Sequence, residues 1–263
     1  MPDLNLHGID NGETFDFGRT SANYAKFRDI YPPSFYAKLR QLGIGLPGQH
    51  VLDLGTGTGV LPRNLGGARY TGMDISPEQI AMARELSQGM DVEYHVIPAE
   101  KIDFAPSTFD AATAVQCFHY IDRAKFLPKL HQALKPGSLF AICAMDFLPY
   151  EDDIMRGSEA LVRKHNPSWT SGNSPRKHKR DLGRAPWARP LFRVHKRVLW
   201  CEDVPFTRES WHGRMLTCRG AGGSLSEEAM AAFTADHWAY MQTLPEKFTV
   251  KHQVMMFILR RKP

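Results

Sequence analysis

Residues 53–59 read Asp-Leu-Gly-Thr-Gly-Thr-Gly, and the apolar run Val51–Leu54 leads directly into them. A short apolar run that ends at glycines is typical of a buried strand. The glycines allow the backbone to turn sharply and to approach a ligand without a Cβ in the way. The segment therefore predicts a strand, a ligand-binding turn and a following helix.

Three features of this turn narrow the class of ligand. The dinucleotide fingerprint requires G-x-G-x-x-G, whereas Val60 stands where its third glycine belongs. The carboxylate of Asp53 within the loop repels a pyrophosphate but suits a cationic or ammonium-bearing ligand. No Gly-Lys-Ser/Thr sequence follows, which excludes a P-loop.

A second acidic residue points to a nucleoside-like ligand. Asp74 ends the next predicted strand, Arg69–Met73, and lies 19 residues after Gly55. In doubly wound folds an acid at this place accepts hydrogen bonds from both ribose hydroxyls.

Strands and helices alternate along the chain from this point. The further predicted strands are Val92–Ile97, Phe109–Gln116, Leu139–Met145, Phe192–Trp200 and Phe248–Arg260. The alternation implies an α/β fold with a doubly wound, mostly parallel sheet. The last strand is expected to form an antiparallel hairpin with the sixth or to insert beside it. Ser224 is expected to cap a long helix, Leu225–Thr243.

Composition and charge exclude several classes of protein. No apolar run approaches the ~20 residues that span a bilayer, and the first residues lack the features of a signal peptide. The four cysteines lie far apart, so we expect no disulfide framework and no metal site, and a cytoplasmic location.

The net charge is +5, although residues 176–197 hold nine basic residues against one acidic residue. This basic stretch fits a solvated loop, a surface for an anionic substrate or a contact for nucleic acid.

Four segments together resemble the class I S-adenosylmethionine-dependent methyltransferases of the small-molecule type. They read VLDLGTGTG (51–59), GMDIS (72–76), FDAATAVQCFHYID (109–122) and LKPGSLFAI (134–142). The resemblance is strong over residues 20–147 and loose over the C-terminal strands. It implies a Rossmann-like sheet of seven strands with the last antiparallel, and S-adenosyl-L-methionine as a methyl donor that becomes S-adenosyl-L-homocysteine.

The resemblance also implies a set of cofactor-binding residues. They are Tyr24, Arg28, Asp53, Gly55, Thr56, Gly57, Asp74, Ile75, Ala99, Glu100 and Gln116. The turn and Gln116 would meet the methionine part of the cofactor, Asp53 its ammonium group and Arg28 its carboxylate, under a cover formed by Tyr24.

The nucleoside part of the cofactor would lie at the other end of the site. Asp74 would hold the ribose, while Ile75 and the backbone of Ala99 would meet the adenine. The family commonly has an acid where this chain has Pro98, and Glu100 is expected either to replace that acid or to cap the next segment.

The same resemblance divides the chain into four parts. Residues 1–45 would form an arm and lid helices, and 46–147 the cofactor-binding core. Residues 148–191 would be an insertion that caps the substrate, and 192–263 would complete the sheet.

Methyl transfer is an in-line displacement, which requires a nucleophile held roughly 3 Å from the methyl carbon in a site without water. A hydroxyl or amine acceptor benefits from a base, whereas a thiolate or an activated carbon needs none. His119, which follows the fourth strand, is the first candidate for the base. Tyr120, Tyr31 and His212 are weaker candidates.

The predicted function is methyl transfer to a small molecule, with the basic stretch favouring an acidic one. Two alternatives stay open: a methyltransferase acting on RNA or another nucleic acid, and a cofactor-binding module without catalysis. The sequence Gln-Cys-Phe-His at 116–119 contains no proline, which argues against the enzymes that methylate exocyclic base amines. We therefore expect no membrane partner, and the sequence favours a small-molecule partner over nucleic acid.

Overall fold

The computed structural model describes residues 21–28, 31–169 and 185–263, without the side chains of residues 21, 22 and 24. The arm predicted at 1–20, much of the basic stretch and the side chain of Tyr24 lie outside the described residues. The helices are α1 (Ser21–Phe27), α2 (Pro33–Gln41), α3 (Val60–Leu65), α4 (Pro77–Leu86), α5 (Arg123–Ala133), α6 (Asp153–His165), α7 (Arg208–Leu216) and α8 (Glu227–Gln242). The strands are β1 (His50–Leu54), β2 (Arg69–Asp74), β3 (Val92–Val96), β4 (Phe109–Val115), β5 (Leu134–Phe147), β6 (Phe192–Thr207) and β7 (Lys247–Arg261).

The seven strands form one sheet in the order β3-β2-β1-β4-β5-β7-β6. The first five pair in parallel, while β7 runs antiparallel to both of its neighbours, β5 and β6. This confirms the doubly wound, mostly parallel sheet. The last strand, β7, inserts between β5 and β6 and pairs antiparallel with both, while α7 and α8 connect β6 to β7 in place of the hairpin turn that was the other prediction. Strand order reverses between β1 and β4, and such a switch point opens a crevice at the carboxyl ends of the strands.

Apolar side chains cover both faces of the sheet. One cluster joins the sheet to α2, α6, α7 and α8, with Trp211 fully buried within it. A second cluster lies on the opposite face and includes Phe126 of α5 and Phe140 of β5. The short, apolar β1 and β4 lie in the middle of the sheet, so their carboxyl ends are held between two packed layers.

Two helices differ from the sequence prediction. The long C-terminal helix α8 begins after Ser226, whose side chain accepts a hydrogen bond from the backbone N–H of Ala229. The predicted cap, Ser224, instead donates its hydroxyl to the carbonyl of Arg219. The prediction also missed α7, which a reciprocal capping box between Thr207 and Ser210 begins.

Helix α7 brings the N-terminal segment onto the C-terminal half of the chain. Helix α1 packs against it, and a Cβ at Gly213 would overlap the ring of Phe27. This close approach places Arg28, the residue after α1, beside the end of α7.

Across the described ranges, no helix combines the length and the apolar character that a membrane crossing requires. All four cysteines are free thiols.

Buried histidines join α6, α7 and α8. His237 is fully buried, lies 3.0 Å (Nε2) from Ser158 Oγ and 2.9 Å (Nδ1) from His212 Nδ1. Burial, with a smaller contribution from His212, lowers the pKa of His237 to about 3. In the unfolded chain the pKa of this histidine is about 6.5. Below that pH the unfolded chain binds a proton that folded His237 does not bind, so the free energy of unfolding decreases as the pH falls.

We predict that His237→Gln makes stability less sensitive to acid. Between pH 7.5 and pH 5 the variant is expected to lose about 2 kcal/mol less unfolding free energy than the unaltered chain, as measured by urea denaturation. His195→Gln replaces an exposed histidine whose pKa is also lowered, by partial burial and by Arg260, and is expected to change the acid sensitivity less than His237→Gln does. Equal acid sensitivity in His237→Gln and the unaltered chain would contradict the prediction.

Candidate functional site

The turn between β1 and α3 lies at the crevice. Gly55, Gly57 and Gly59 have φ angles of 58°, 56° and 75°, in the left-handed region that side chains disfavour. A Cβ on Gly55 would stand 2.6 Å from Cys117 Cβ. The turn therefore depends on glycine for its conformation and for its close approach to the end of β4.

Asp53 lies under the turn and is 2% exposed. Its two oxygens accept hydrogen bonds from Thr56 Oγ1 at 2.7 Å and from Thr113 Oγ1 at 2.6 Å. Burial raises the pKa of Asp53 to about 6, although both hydroxyls oppose the shift. At neutral pH the carboxylate is therefore ionised, and it fixes the turn to both β1 and β4.

Asp74 joins the turn to the next strand–helix connection. Its Oδ2 accepts from the backbone N–H of Gly57, and its Oδ1 accepts from that of Ser76, both at 3.0 Å. Burial raises the pKa of Asp74, and the backbone hydrogen bonds oppose that shift. The adjacent Ile75 is a large apolar residue that is 37% exposed. A carboxylate and an apolar surface thus lie side by side at the end of β2.

A pocket of about 500 Å³, including its open mouth, lies at the ends of β1 and β4. Six predicted cofactor ligands line it: Arg28, Asp53, Gly55, Thr56, Gly57 and Gln116. Two further lining residues are Tyr31, which the sequence suggested only as a base, and Arg214, which sequence reasoning missed. The structure therefore brings more than half of the predicted ligands together in one pocket, and their role in binding stays a prediction.

Gln116 follows β4 in a conformation that is rare for a side chain other than glycine. Its φ is 62°, and such strain costs about 1–3 kcal/mol and tends to occur at functional sites. Its Nε2 donates to the carbonyl of Met145 at 2.6 Å, and its backbone N–H donates to that of Cys143 at 2.9 Å. These bonds hold Gln116 against β5 on the wall of the pocket.

Two guanidinium groups reach the pocket from different parts of the chain. Arg28 Nη2 donates to the carbonyl of Thr217 at 3.1 Å. Arg214 of α7 is 3% exposed, donates from Nη1 to Cys218 Sγ at 3.2 Å and lies 4.9 Å from the ring centroid of Phe147. No motif marks Arg214 in the sequence, because the missed helix α7 is what places it here.

The residues predicted at the adenine end of the site include Ala99 and Glu100. Ala99 begins a 3-10 turn, Ala99–Lys101. Within this turn, Glu100 Oε1 accepts from the backbone N–H of Asp122 at 2.7 Å, which links the turn to the start of α5. This oxygen is engaged within the fold, and contact of Ala99 or Glu100 with adenine stays a prediction.

The candidate bases do not all lie at the pocket. His119 is exposed, with its ring centroid 3.9 Å from that of Tyr120, and it is not among the residues that line the pocket. His212 contacts His237 instead. Tyr31 lines the pocket and stacks on Phe35 at 4.7 Å between ring centroids. Of the candidates considered, the structure brings only Tyr31 to the pocket wall.

The part of the chain that the structure describes contains no group of three or more His, Cys, Asp or Glu residues arranged to hold a metal ion. The polar groups that line the pocket are instead hydroxyls, amides, one carboxylate and guanidinium groups.

Residues 52–142 match the family model described as a methyltransferase domain. The chain is 34% identical over 148 residues to the O-methyltransferase resE of Aspergillus sclerotiorum, covering 52% of this chain and 54% of that protein. It is 35% identical over 99 residues to the ubiquinone biosynthesis O-methyltransferase of Pseudomonas aeruginosa, covering 35% and 43%. The matches thus span about half or less of the curated relatives' length.

Solved structures share the fold at lower identity. The phosphoethanolamine N-methyltransferase 2 of Haemonchus contortus, solved with phosphomonomethylethanolamine and S-adenosylhomocysteine, is 18% identical with a TM-score of 0.52, covering 98% of this chain and 59% of that one. The [4+2]-cyclase SpnF is 16% identical with a TM-score of 0.50, covering 87% and 79%.

The strand order, the glycine turn and the carboxylate at the end of β2 define a Rossmann-like methyltransferase fold. Residues 52–142 thus form a domain that resembles methyltransferases in sequence, within a chain that shares their fold.

Proposed function

We propose that this protein is an enzyme that transfers the methyl group of S-adenosylmethionine to a small-molecule acceptor. The observation that carries the proposal is the link between Asp74 and the N–H of Gly57, which brings the ribose-binding candidate onto the glycine turn. Similarity to O-methyltransferases over the same segment supports this assignment.

The residues present fit the cofactor in charge and shape. Gly55, Thr56 and Gly57 line the pocket, so a ligand can lie against the turn, and Asp53 supplies a negative charge for an ammonium group. Arg28 would bind the carboxylate, Asp74 would accept from the ribose hydroxyls, and exposed Ile75 would pack on the adenine. When bound, the sulfonium supplies a methyl group that is already activated toward nucleophiles.

The protein's own part in the reaction is to orient the acceptor and to exclude water. Gln116, held to β5 by its hydrogen bond to Met145, would position groups at the centre of the pocket. Tyr31 is the candidate base that lines the pocket, whereas His119 would need an acceptor that extends beyond it. An acceptor that is already a thiolate or a carbanion would require neither residue.

A direct test is to incubate the protein with methyl-labelled S-adenosylmethionine and a small-molecule extract. Labelled product that forms with the unaltered chain and disappears with Asp74→Ala is the expected result. Cofactor binding without any product would favour a non-catalytic module or a different reaction, as in the neighbour named a [4+2]-cyclase.

We predict that acid weakens cofactor binding through Asp53. Since its pKa is about 6, the carboxylate is ionised at pH 7 and mostly protonated at pH 5, where its attraction for an ammonium group is lost. S-adenosylhomocysteine is expected to bind about tenfold more weakly at pH 5 than at pH 7, as measured by calorimetry. In Asp53→Asn, binding is expected to be weaker at pH 7 and less dependent on pH, with the remaining dependence coming from Asp74, whose pKa burial also raises. The same acid response in this variant would contradict the prediction.

The cysteines and the pocket bear on the proposed location of the protein and on its proposed acceptor. Free thiols at all four cysteines fit the predicted cytoplasmic location. A small molecule is the proposed acceptor, because the pocket at the strand ends, about 500 Å³ including its open mouth, is in the size range of small-molecule sites.

A further inference from the structure

The candidate residues around the pocket belong to two pairs of strands, β1 with β2 and β4 with β5. Asp53 and Asp74 belong to β1 and β2, whereas Gln116 follows β4 and Phe147 ends β5. On the proposed function, the cofactor occupies the β1 and β2 side, because the candidates for its ammonium and ribose contacts lie there. The acceptor must then approach the methyl group from the β4 and β5 side.

Arg214 lies on this acceptor side. Its guanidinium lies over the ring of Phe147 at 4.9 Å from the centroid, and it lines the same pocket as Gln116. The hydrogen bond to Cys218 and the helical backbone of α7 fix its position. At 3% exposure, its charge is directed at the pocket and not at bulk solvent.

The cofactor has one carboxylate, and the pocket has two arginines. Arg28 follows the N-terminal helix α1 and is the residue proposed for that carboxylate. A guanidinium presents several N–H donors in a fixed plane, which match the oxygens of a carboxylate or a phosphate. Arg214 is a second guanidinium at the pocket, placed over Phe147 at the end of β5, and it therefore suits a second anionic group.

We infer that Arg214 binds a carboxylate or phosphate group of the acceptor and so selects an anionic substrate. The inference rests on the proposed function, which supplies the division of the pocket. It assigns specificity to a residue of α7 rather than to the basic stretch at 176–197. The anionic group would anchor the acceptor over Phe147, with the atom to be methylated directed toward Gln116.

The test uses the full chain saturated with S-adenosylhomocysteine. Benzoate, phenyl phosphate and the neutral isostere benzamide are titrated separately, and binding is followed by saturation-transfer NMR. At least one anion is expected to bind about tenfold more tightly than benzamide, and the stronger anion identifies the acceptor's group. Arg214→Met is expected to reduce that preference to less than about twofold, and Arg214→Lys to retain part of it.

Two controls show whether the anion preference arises at Arg214 itself. Arg193→Met removes an exposed arginine of β6 and is expected to keep the full preference, which excludes anion binding at the surface. S-adenosylhomocysteine is expected to bind Arg214→Met within about threefold of the unaltered chain, and to bind Arg28→Met much more weakly.

Three results would overturn the inference: equal binding of anions and benzamide, a preference that survives Arg214→Met, or loss of S-adenosylhomocysteine binding in Arg214→Met equal to that in Arg28→Met. Failure of S-adenosylhomocysteine to bind the unaltered chain would instead overturn the proposed function, and the inference with it.

Discussion

Replacing Asp74 with alanine is expected to weaken S-adenosylhomocysteine binding by about a hundredfold or more, roughly 3 kcal/mol, because the two charge-assisted hydrogen bonds that we propose for the ribose would be lost. The same carboxylate also accepts from the N–H groups of Gly57 and Ser76 at 3.0 Å. Its removal therefore loosens the turn as well as removing a ligand. Calorimetric titration with S-adenosylhomocysteine measures the effect directly.

The matched control for this substitution is Asp91→Ala. Asp91 precedes β3, its side chain is 77% exposed, and it lies 4.0 Å from Arg69. Exposed pairs of this kind contribute little to stability, so this variant is expected to bind like the unaltered chain. An Asp74→Ala protein that folds and binds S-adenosylhomocysteine as tightly as the Asp91→Ala protein would show that Asp74 does not hold the ribose.

Gly55→Ala is expected to destabilise the protein by about 2–5 kcal/mol, from a side chain in the left-handed region and from overpacking. The new Cβ would stand 2.6 Å from Cys117 Cβ and 2.8 Å from its Sγ. Since β1 and β4 are both held in the core, neither strand end can move far. Urea denaturation measures the loss, and calorimetry is expected to show no cofactor binding under native conditions.

A second glycine separates the two causes of this effect. Gly89 has a φ of 79°, and a Cβ there would meet nothing within 4 Å. Gly89→Ala is therefore expected to cost only about 1 kcal/mol. Adding Cys117→Gly to Gly55→Ala is expected to restore part of the lost stability. Equal losses in the two alanine variants would show that the contact with Cys117 does not constrain the turn.

Local signals in the sequence were sufficient for the first half of the fold. The apolar run before Gly55 predicted β1, and Ser76 followed by Pro77 is a local signal for the start of α4. In the structure, the N–H of Gln79 donates to Ser76 Oγ at 3.2 Å. These signals are reliable because the cap and the strand depend on neighbouring residues.

The C-terminal half depends more on contacts distant in sequence. Strand β6 continues to Thr207, beyond the predicted end at Trp200, because it pairs with β7 along its length. The sequence between these residues contains Pro205, which local rules place at a strand edge, and β6 is an edge strand. The prediction of Ser224 as a cap was wrong for a related reason, since its hydroxyl bonds to the preceding turn at Arg219.

The candidate site shows the same contrast. Motif residues such as Asp53 and Gly57 could be predicted because the turn that holds them is continuous in sequence. The bond from Thr113 to Asp53 joins residues 60 positions apart, and no local pattern indicates it. Arg214 likewise reaches the pocket only because α7 packs beneath α1, and His119 is exposed because the 3-10 turn Phe118–Tyr120 directs Phe118 inward.

The central claim is that the glycine turn and Asp74 bind the methyl donor and not a dinucleotide. Isothermal titration of the full chain with S-adenosylhomocysteine and, separately, with NAD⁺ tests this claim most directly. We expect saturable one-to-one binding of S-adenosylhomocysteine and no heat with NAD⁺. Saturable binding of NAD⁺, with no heat from S-adenosylhomocysteine or S-adenosylmethionine, would contradict it.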